Sequence, residues 1–378
     1  VMEYINSHDF KLVIVPDAGS NDYEYHRQLR ERGIDVIVLD HHLADETSPY
    51  AIVVNNQLCD YENKELSGVG VVYQFCRFID EKMKTSFADE YLDLVALGLT
   101  GDMMSLTSIE TKHLINKGFE PNNIKNPYIY ERWRKNKCKL GEHITSRDAA
   151  FYIVPMVNAV QRSGTIEEKE LLFKSMLKYE AFEVIPSTKR GCKGQTERLV
   201  EQAVRMSTNV KNRQTRAQDA SMEYLENRIE KENMMDRKVL LFTLEPGKVD
   251  KNIAGLIANK ISAKYQRPSC MLTKVGDVYQ GSARGYEMSG VTNFKDICDE
   301  TDCVNWTAGH QNAFGISINA DKIEEFLEKT DIALANMASE PVDYVDYIYN
   351  GADVNPQDIL AISDLSDFVS SFGTIKYV

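Results

Sequence analysis

The sequence predicts an α/β protein in which a parallel-sheet domain is joined by a long helix to a smaller α/β domain. Three observations carry that reading. Through the first 120 residues, short β-branched runs alternate with stretches whose apolar residues recur every three to four positions, the pattern of βαβ units. From Gln195 to Met235 the chain contains neither Gly nor Pro, which reads as one helix longer than the globular average and suited to bridging domains. Past that helix, apolar strand-like runs resume at Val239.

The elements follow in order. Leu12-Val13-Ile14-Val15 is a strand that ends in Pro16-Asp17-Ala18-Gly19-Ser20, and a helix from Asp22 to Arg32 closes on Gly33. A second strand, Val36-Ile37-Val38-Leu39, runs directly into Asp40-His41-His42, and Tyr50–Val54 is a third. Helices are predicted from about Gly70 to Met83 and from Ala88 to Leu106. Residues 120–147, with Pro121, Pro127 and several Asn, read as a loop-rich surface segment. The second α/β unit alternates strands Val239–Thr243, Ser269–Leu272, Val278–Ala283 and Ala313–Ile318 with helices Asn252–Tyr265 and Asn293–Asp299. From Ala320 a helix runs to about Met337, and an acidic, Tyr-rich tail follows. The domain boundaries read as 1–145, 146–236, 237–337 and 338–378.

Composition narrows the function classes. No run of about 18 apolar residues exists, so no membrane-spanning helix and no membrane partner are predicted. The first residues lack a basic stretch followed by an apolar one, and the seven cysteines are scattered without a CxxC pair, which fits reduced thiols and a cytoplasmic location. A formal charge of −13 looks unfavourable for a phosphate-binding protein. The distribution changes that: Ala320–Val378 holds twelve acids against three lysines, whereas Arg132-Trp133-Arg134-Lys135 and a stretch from Lys189 and Arg190 through Lys193 to Arg216 are basic. Either basic stretch reads equally as a solvated face or as a nucleic-acid contact, and Trp133 as a packed ring or a base-stacking platform.

The chemistry concentrates at strand ends. In an open α/β sheet ligands bind at the carboxyl edge, where Asp17 and Asp40-His41-His42 would emerge together. Carboxylates and imidazoles suit Mn²⁺ or Mg²⁺ sites that hydrolyse phosphate esters with two ions. Asp102, after the small-residue break Gly98-Leu99-Thr100-Gly101, is a third carboxylate with little structural reason to sit there. Successive side chains leaving a strand diverge, so one of His41 and His42 should ligate metal and the other face a phosphate, with Asp40 orienting an imidazole. In the second unit, Thr307-Ala308-Gly309-His310-Gln311-Asn312 and Arg284 are phosphate-ligand candidates. Ser67-Gly68-Val69-Gly70 reads as a tight start to a helix rather than a dinucleotide turn, and His8, His26, His113 and His143 as surface residues.

Val15-Pro16-Asp17-Ala18-Gly19, Leu39-Asp40-His41-His42 and Gly98-Leu99-Thr100-Gly101-Asp102 resemble the second, third and fourth motifs of the DHH phosphoesterase superfamily. Ala308-Gly309-His310 resembles the GGH signature of the DHH-associated domain, Pro155-Met156-Val157-Asn158-Ala159 the Pro-Arg-Leu-Asn-Ala segment of RecJ exonucleases, and Gly281-Ser282-Ala283-Arg284 their Gly-Ser-Gly-Arg. The resemblance implies a metal-dependent exonuclease that degrades single-stranded DNA from its 5′ end to mononucleotides in recombination and repair. It implies Asp17, His41 and Asp102 as ligands of a two-metal Mn²⁺ or Mg²⁺ site and Asp40 and His42 as catalytic residues. Asn158, Arg284, Gly309 and His310 would hold the strand, with a single-strand-binding protein or a helicase as protein partners. It also makes residues 1–145 the DHH domain, 146–236 a helical connector and 237–337 the DHH-associated domain. Leu365–Gly373 resembles the opening of a nucleic-acid-binding barrel.

The departures carry expectations too. The family's first motif, an Asp-x-Asp well before Asp17, does not occur in the sixteen residues that precede it, so the sequence reads as a core clipped at both ends and as a weak metal binder. Met156 replaces an expected arginine. Two rival functions are a small phosphodiesterase for oligoribonucleotides or cyclic dinucleotides, against which the long helix counts, and a non-catalytic strand-binding derivative, against which the retained Asp17, His41, His42 and Asp102 count.

Overall fold

In the computed structural model, the residues described are 1–44, 46–286, 291–335, 355–357 and 360. They form two compact units: Val1–Asn158 with Ile166–Ser207 and the described residues past 349, and Ala159–Thr165 with residues 208–335. Apart from 355–357 and 360, the acidic tail lies outside the described residues, as does all of Leu365–Gly373.

The first unit is built on a parallel sheet, β1 (Leu12–Pro16), β2 (Asp35–Asp40) and β3 (Ile52–Asn55), in the order β1-β2-β3. The Tyr23–Glu31 helix makes the crossover from β1 to β2, and its Leu29 packs with Ile34, Val36 and Val38 in the core. His26 lies on that buried face, 2% exposed, and is not the surface residue expected. Its place three residues before Leu29 puts it on the inward stripe of the helix. The Gly68–Met83 helix starts with Ser67 at its N-cap, as the Ser-Gly-Val-Gly pattern suggested.

Two expected elements are corrected. The Ala88–Leu106 stretch is a 3₁₀ turn, Ala88–Tyr91, and a shorter helix, Leu92–Gly101, which ends where Met103 turns left-handed at φ 57°. Residues 120–147 are not loop-rich: a 14-residue helix, Pro127–Leu140, fills the middle. The Asn and Pro taken as loop signals are its start, because the Asn126 side chain accepts from the N–H groups of Tyr128 and Ile129, and Pro127 needs no N–H at the first helical position.

A short antiparallel hairpin, β4 (Val184–Pro186) and β5 (Thr196–Arg198), precedes the 33-residue helix Leu199–Lys231. The boundary between the units falls inside that helix, after Ser207. The second unit holds a mixed five-stranded sheet of β6 (Leu240–Leu244), β7 (Ser269–Val275), β8 (Val278–Arg284), β9 (Val304–His310) and β10 (Ala313–Asn319), in the order β6-β7-β8-β10-β9. Only β6 and β7 are parallel. Alternating side chains feed two cores: Leu241, Cys270, Leu272 and Phe314 on one face, Leu240, Phe242 and Met271 with Ile257 and Ile261 on the other. Strand β9 has no counterpart in the sequence reading. Its Trp306-Thr307-Ala308-Gly309-His310 lacks an apolar alternation, and pairing with β10 is what makes it a strand.

Candidate active site

Register brings the first carboxylates together. Pro16 pairs with Leu39, so β1 and β2 end side by side, and the Asp17 N–H donates to the Leu39 carbonyl at 2.8 Å, one further rung of the ladder. Asp17 then turns left-handed, at φ 59°. That conformation is uncommon for a residue with a side chain, though Asp is among those that tolerate it, and it aims the carboxylate off the strand line. The N-terminus of the Gly68–Met83 helix closes against it: a Cβ at position 68 would fall 2.6 Å from Asp17 Cγ and 2.7 Å from its Cβ. Asp102 arrives from another direction, as the residue that caps the carboxyl end of Leu92–Gly101.

Asp40 is the fixed centre. It is 1% exposed, its Oδ1 accepts from the His41 N–H at 2.8 Å, the His42 N–H at 3.3 Å and His42 Nδ1 at 2.7 Å, and its Oδ2 accepts from the Ser20 N–H at 3.1 Å. Burial pushes this carboxyl up, but the hydrogen bonds from His42, Ser20 and the His41 N–H outweigh it and hold the group at about 2. An ionised carboxylate therefore sits buried with its lone pairs occupied, the condition under which a buried charge is tolerated. Asn55 braces the loop by donating to Ser20 Oγ at 2.8 Å and to the His42 carbonyl at 2.9 Å.

These bonds overturn the expected divergence of the two histidines. Because the strand ends at Asp40, the two-residue alternation stops there, and Asp40 folds the next two residues around itself. The imidazoles lie 4.5 Å apart between ring centres, tilted by 54°. His41 Nε2 lies 3.3 Å from both Asp17 Oδ1 and Asp102 Oδ2. Burial works against a proton on His41, but Asp17, Asp102 and Asp40 outweigh it and raise its affinity for positive charge. One ligand atom each from Asp17, His41 and His42 lies within 4.8 Å of the others. Imidazole nitrogen with carboxylate oxygens is a donor set that fits a divalent cation, and the two outer carboxylates are at least half exposed, open to solvent and substrate.

The strand-binding candidates lie on other elements. Asn158, the last residue of the first unit in this part of the chain, is half-buried on the Val154–Ser163 helix, which continues into the second unit. Arg284 and His310 close strands β8 and β9, and both pair with Ala313 of β10, so they occupy one end of the second sheet. Gly309, at φ 132°, is required by its own neighbour strand, since a Cβ there would meet the Ala313 carbonyl at 2.7 Å. The Arg284 guanidinium donates from Nη1 to the Ala283 carbonyl at 2.7 Å, and a Cβ on Gly255 would fall 2.6 Å from its Nη2. Burial lowers its proton affinity, and the charge of Arg162 presses the same way. Lys211 is likewise lowered by burial and by Lys260 and Arg162. Arg284 and Lys211 thus each feel the positive charge of Arg162 as well as their own burial.

Sequence reasoning missed Gly68, Ser20, Asn55, Arg162, Lys211 and Lys260 as neighbours of these groups. Arg162 had a signal, because it follows Asn158 by four residues and shares its helix face. The Arg132–Lys139 cluster, by contrast, is absorbed by the fold: Arg132 is buried against the carbonyls of Tyr152 and Val204, Arg134 and Lys135 pair with Glu131, and Trp133 donates to the Gly141 carbonyl.

An Asp and a His pair at the carboxyl edge of a parallel sheet, joined by a carboxylate from a helix end, define a DHH-type site. Residues 1–99 match the model of the DHH family, N-terminal domain, and that part of the chain is a DHH-family domain. It is 36% identical over 322 residues to the putative SPbeta prophage-derived single-strand DNA-specific exonuclease YorK of Bacillus subtilis, covering 83% of this chain and 55% of that protein. It is 24% identical over 377 residues to the single-stranded-DNA-specific exonuclease RecJ of Bacillus subtilis, covering 96% of this chain and 44% of that one. The chain thus spans about half the length of these relatives. In fold it is similar to RecJ of Thermus thermophilus in complex with Mn²⁺, with a TM-score of 0.71 at 19% identity over 98% of this chain and 52% of that one. An exonuclease RecJ bound to manganese gives 0.65 at 20% identity over 89% and 79%. No helix among the described residues is long and apolar enough to cross a membrane.

Proposed function

We propose that this chain is the catalytic core of a metal-dependent exonuclease that hydrolyses single-stranded DNA from its 5′ end to mononucleotides. The observation that carries the reading is the convergence of Asp17 and Asp102 on His41 Nε2 beside an Asp40-fixed His42. Asp17, His41 and Asp102 would supply part of the ligand set of a two-metal Mn²⁺ or Mg²⁺ centre, which the family's Asp-x-Asp motif would complete. When bound, such ions polarise a phosphoryl oxygen and lower the pKa of the attacking water.

The remaining work belongs to side chains. His42, its Nδ1 engaged by Asp40, is oriented to hydrogen-bond a non-bridging oxygen of the scissile phosphate, where charge develops during attack. Asp40 is a positioning residue that fixes tautomer and ring plane through that bond. Arg284, His310 and Gly309 hold phosphates of the strand at the end of the second sheet, with Asn158 along its path. Likeness to YorK and RecJ supports single-stranded DNA as the substrate, with work in the cytoplasm and a single-strand-binding protein or helicase as partner. In this reading, residues 1–145 act as the DHH domain, 146–236 as connector and 237–337 as the strand-holding domain.

The test is the release of nucleotides by the full chain with Mn²⁺ from a 5′-phosphorylated DNA 20-mer, from the same sequence as a duplex, and from a dinucleotide. Mononucleotides from the single strand alone are expected. Preference for the dinucleotide would replace this reading with a small phosphodiesterase, and strand binding with no release from any substrate would replace it with a non-catalytic binder.

A further inference from the structure

The β4–β5 hairpin has a structure that neither the core nor the Asp-His site requires. Its connecting loop, Ser187-Thr188-Lys189-Arg190-Gly191-Cys192-Lys193-Gly194-Gln195, carries three cations and no acid. Two successive turns shape it: the Cys192 N–H donates to the Lys189 carbonyl at 3.1 Å and the Gln195 N–H to the Cys192 carbonyl at 3.0 Å. Gly191 and Gly194, at φ 82° and 83°, occupy the third position of each, where a left-handed residue is needed.

The base of the loop is anchored by a buried charge. Glu197, on β5, accepts from Ser187 Oγ at 3.0 Å, the Thr188 N–H at 3.2 Å and Gln202 Nε2 at 3.0 Å, and both its oxygens take the Arg205 guanidinium at 2.5 and 2.6 Å. Arg205 also donates to Thr188 Oγ1 at 2.9 Å. These bonds hold Glu197 at about 2, so the anchor stays ionised through the neutral range. A fixed, twice-turned loop thus presents Lys189, Arg190 and Lys193 to solvent, with no ion pair for any of them among the described residues.

Exposed rings stand at the other end of the same hairpin. Phe182, just before β4, is 54% exposed and lies under the Arg198 guanidinium at 6.0 Å, and Tyr179 is 96% exposed. Exposed cations at one end of a hairpin and solvent-facing aromatics at the other suit a single strand laid along it, the charges on its phosphates and the rings on its bases. An acidic peptide would meet the charges but leave the rings without use.

We propose that this hairpin is a second contact for single-stranded nucleic acid, separate from the Asp-His site, gripping the backbone through Lys189, Arg190 and Lys193. The choice of nucleic acid as the ligand rests on the exonuclease reading, but the contact itself does not depend on hydrolysis. Binding of a fluorescent dT 20-mer to the full chain is therefore measured in EDTA across a salt series. The triple variant Lys189→Ser, Arg190→Ser, Lys193→Ser is expected to bind about tenfold or more weakly at low salt, with a salt slope smaller by roughly 2, since each phosphate contact contributes ~0.7. Reversal of the three positions to Glu should weaken binding further, and circular dichroism should leave both variants folded. Unchanged affinity and slope in both variants would overturn the proposal, as would a polyglutamate peptide whose binding is lost in the triple variant while that of the oligonucleotide is kept. Failure of the exonuclease reading looks different: wild type would bind the strand through the hairpin and release no nucleotides from it.

Discussion

Gly68 and Asp17 are packed so closely that no side chain at 68 can coexist with the observed carboxylate, a Cβ there falling 2.6 Å from Asp17 Cγ. Elementary propensity gives the opposite expectation, because Gly68 is the first residue of a 16-residue helix and Ala is the better helix former by up to about 1 kcal/mol. The conflict yields a prediction with two readouts. Gly68→Ala should keep its melting temperature while displacing Asp17, and a displacement near 1 Å costs about 10²-fold in turnover. Metal-dependent nucleotide release together with thermal melting checks it. Wild-type turnover in a folded variant would show that the position of Asp17 is immaterial.

Asp40 and His41 should fail in different ways. Removing His41 takes away the nitrogen at the centre of the two outer carboxylates, so His41→Ala is expected to abolish turnover and to weaken Mn²⁺ binding. Asp40→Asn keeps the shape and an acceptor oxygen but removes the charge facing His42 Nδ1. Loss of such an orienting partner typically costs 10- to 100-fold in activity. Calorimetric Mn²⁺ titration of both variants, set beside turnover, separates the roles. Equal loss of metal binding in the two would mean that Asp40 acts as a ligand and not as an orienting group.

Much of this site was legible because strand chemistry is local. β-branched runs that end in Asp17 and Asp40 announce both the strands and their exits, and the parallel register follows from βαβ alternation. What was hidden depends on contacts far apart in sequence. Nothing near Gly68 indicates that Asp17 will lie against it, and the pairing of Arg284 and His310 through Ala313 appears only once β9 forms. The Pro127–Leu140 helix was missed for another reason: Asn and Pro mark both loops and helix starts, and only the hydrogen bonds of Asn126 tell them apart. The turn of His41 and His42 toward each other was misjudged because strand alternation was extended past the last strand residue.

Gly255 offers a way to move Arg284 without deleting it. The atoms a Cβ would meet, Nη2 at 2.6 Å and Cζ at 3.3 Å, are the far end of a flexible side chain, so the guanidinium will shift and the helix will not. Gly255→Ala should therefore leave thermal stability unchanged or slightly raised, as Gly to Ala within a helix allows. Its affinity for a 5′-phosphorylated oligonucleotide, measured without metal, should fall several-fold, toward that of Arg284→Ala. If the Ala variant binds as wild type while Arg284→Ala does not, the charge of Arg284 matters and its position does not.

His26 sets a pH dependence unconnected with catalysis. It is 2% exposed, its Nδ1 has no hydrogen-bond partner among the described residues, and burial depresses its proton affinity, with Asp22 pulling weakly the other way. The folded state therefore prefers neutral His26, while in the unfolded chain the group takes its proton near its ordinary value of about 6.5. Below that value the unfolded state binds more protons, so stability is present above it and is lost as pH falls toward the depressed folded value. His26→Leu removes both this linkage and a buried nitrogen without a partner, whose desolvation costs about 1–3 kcal/mol. The variant should melt higher than wild type, and the difference should widen as pH falls from 8 to 5. Parallel curves across that range would assign the acid sensitivity to other groups.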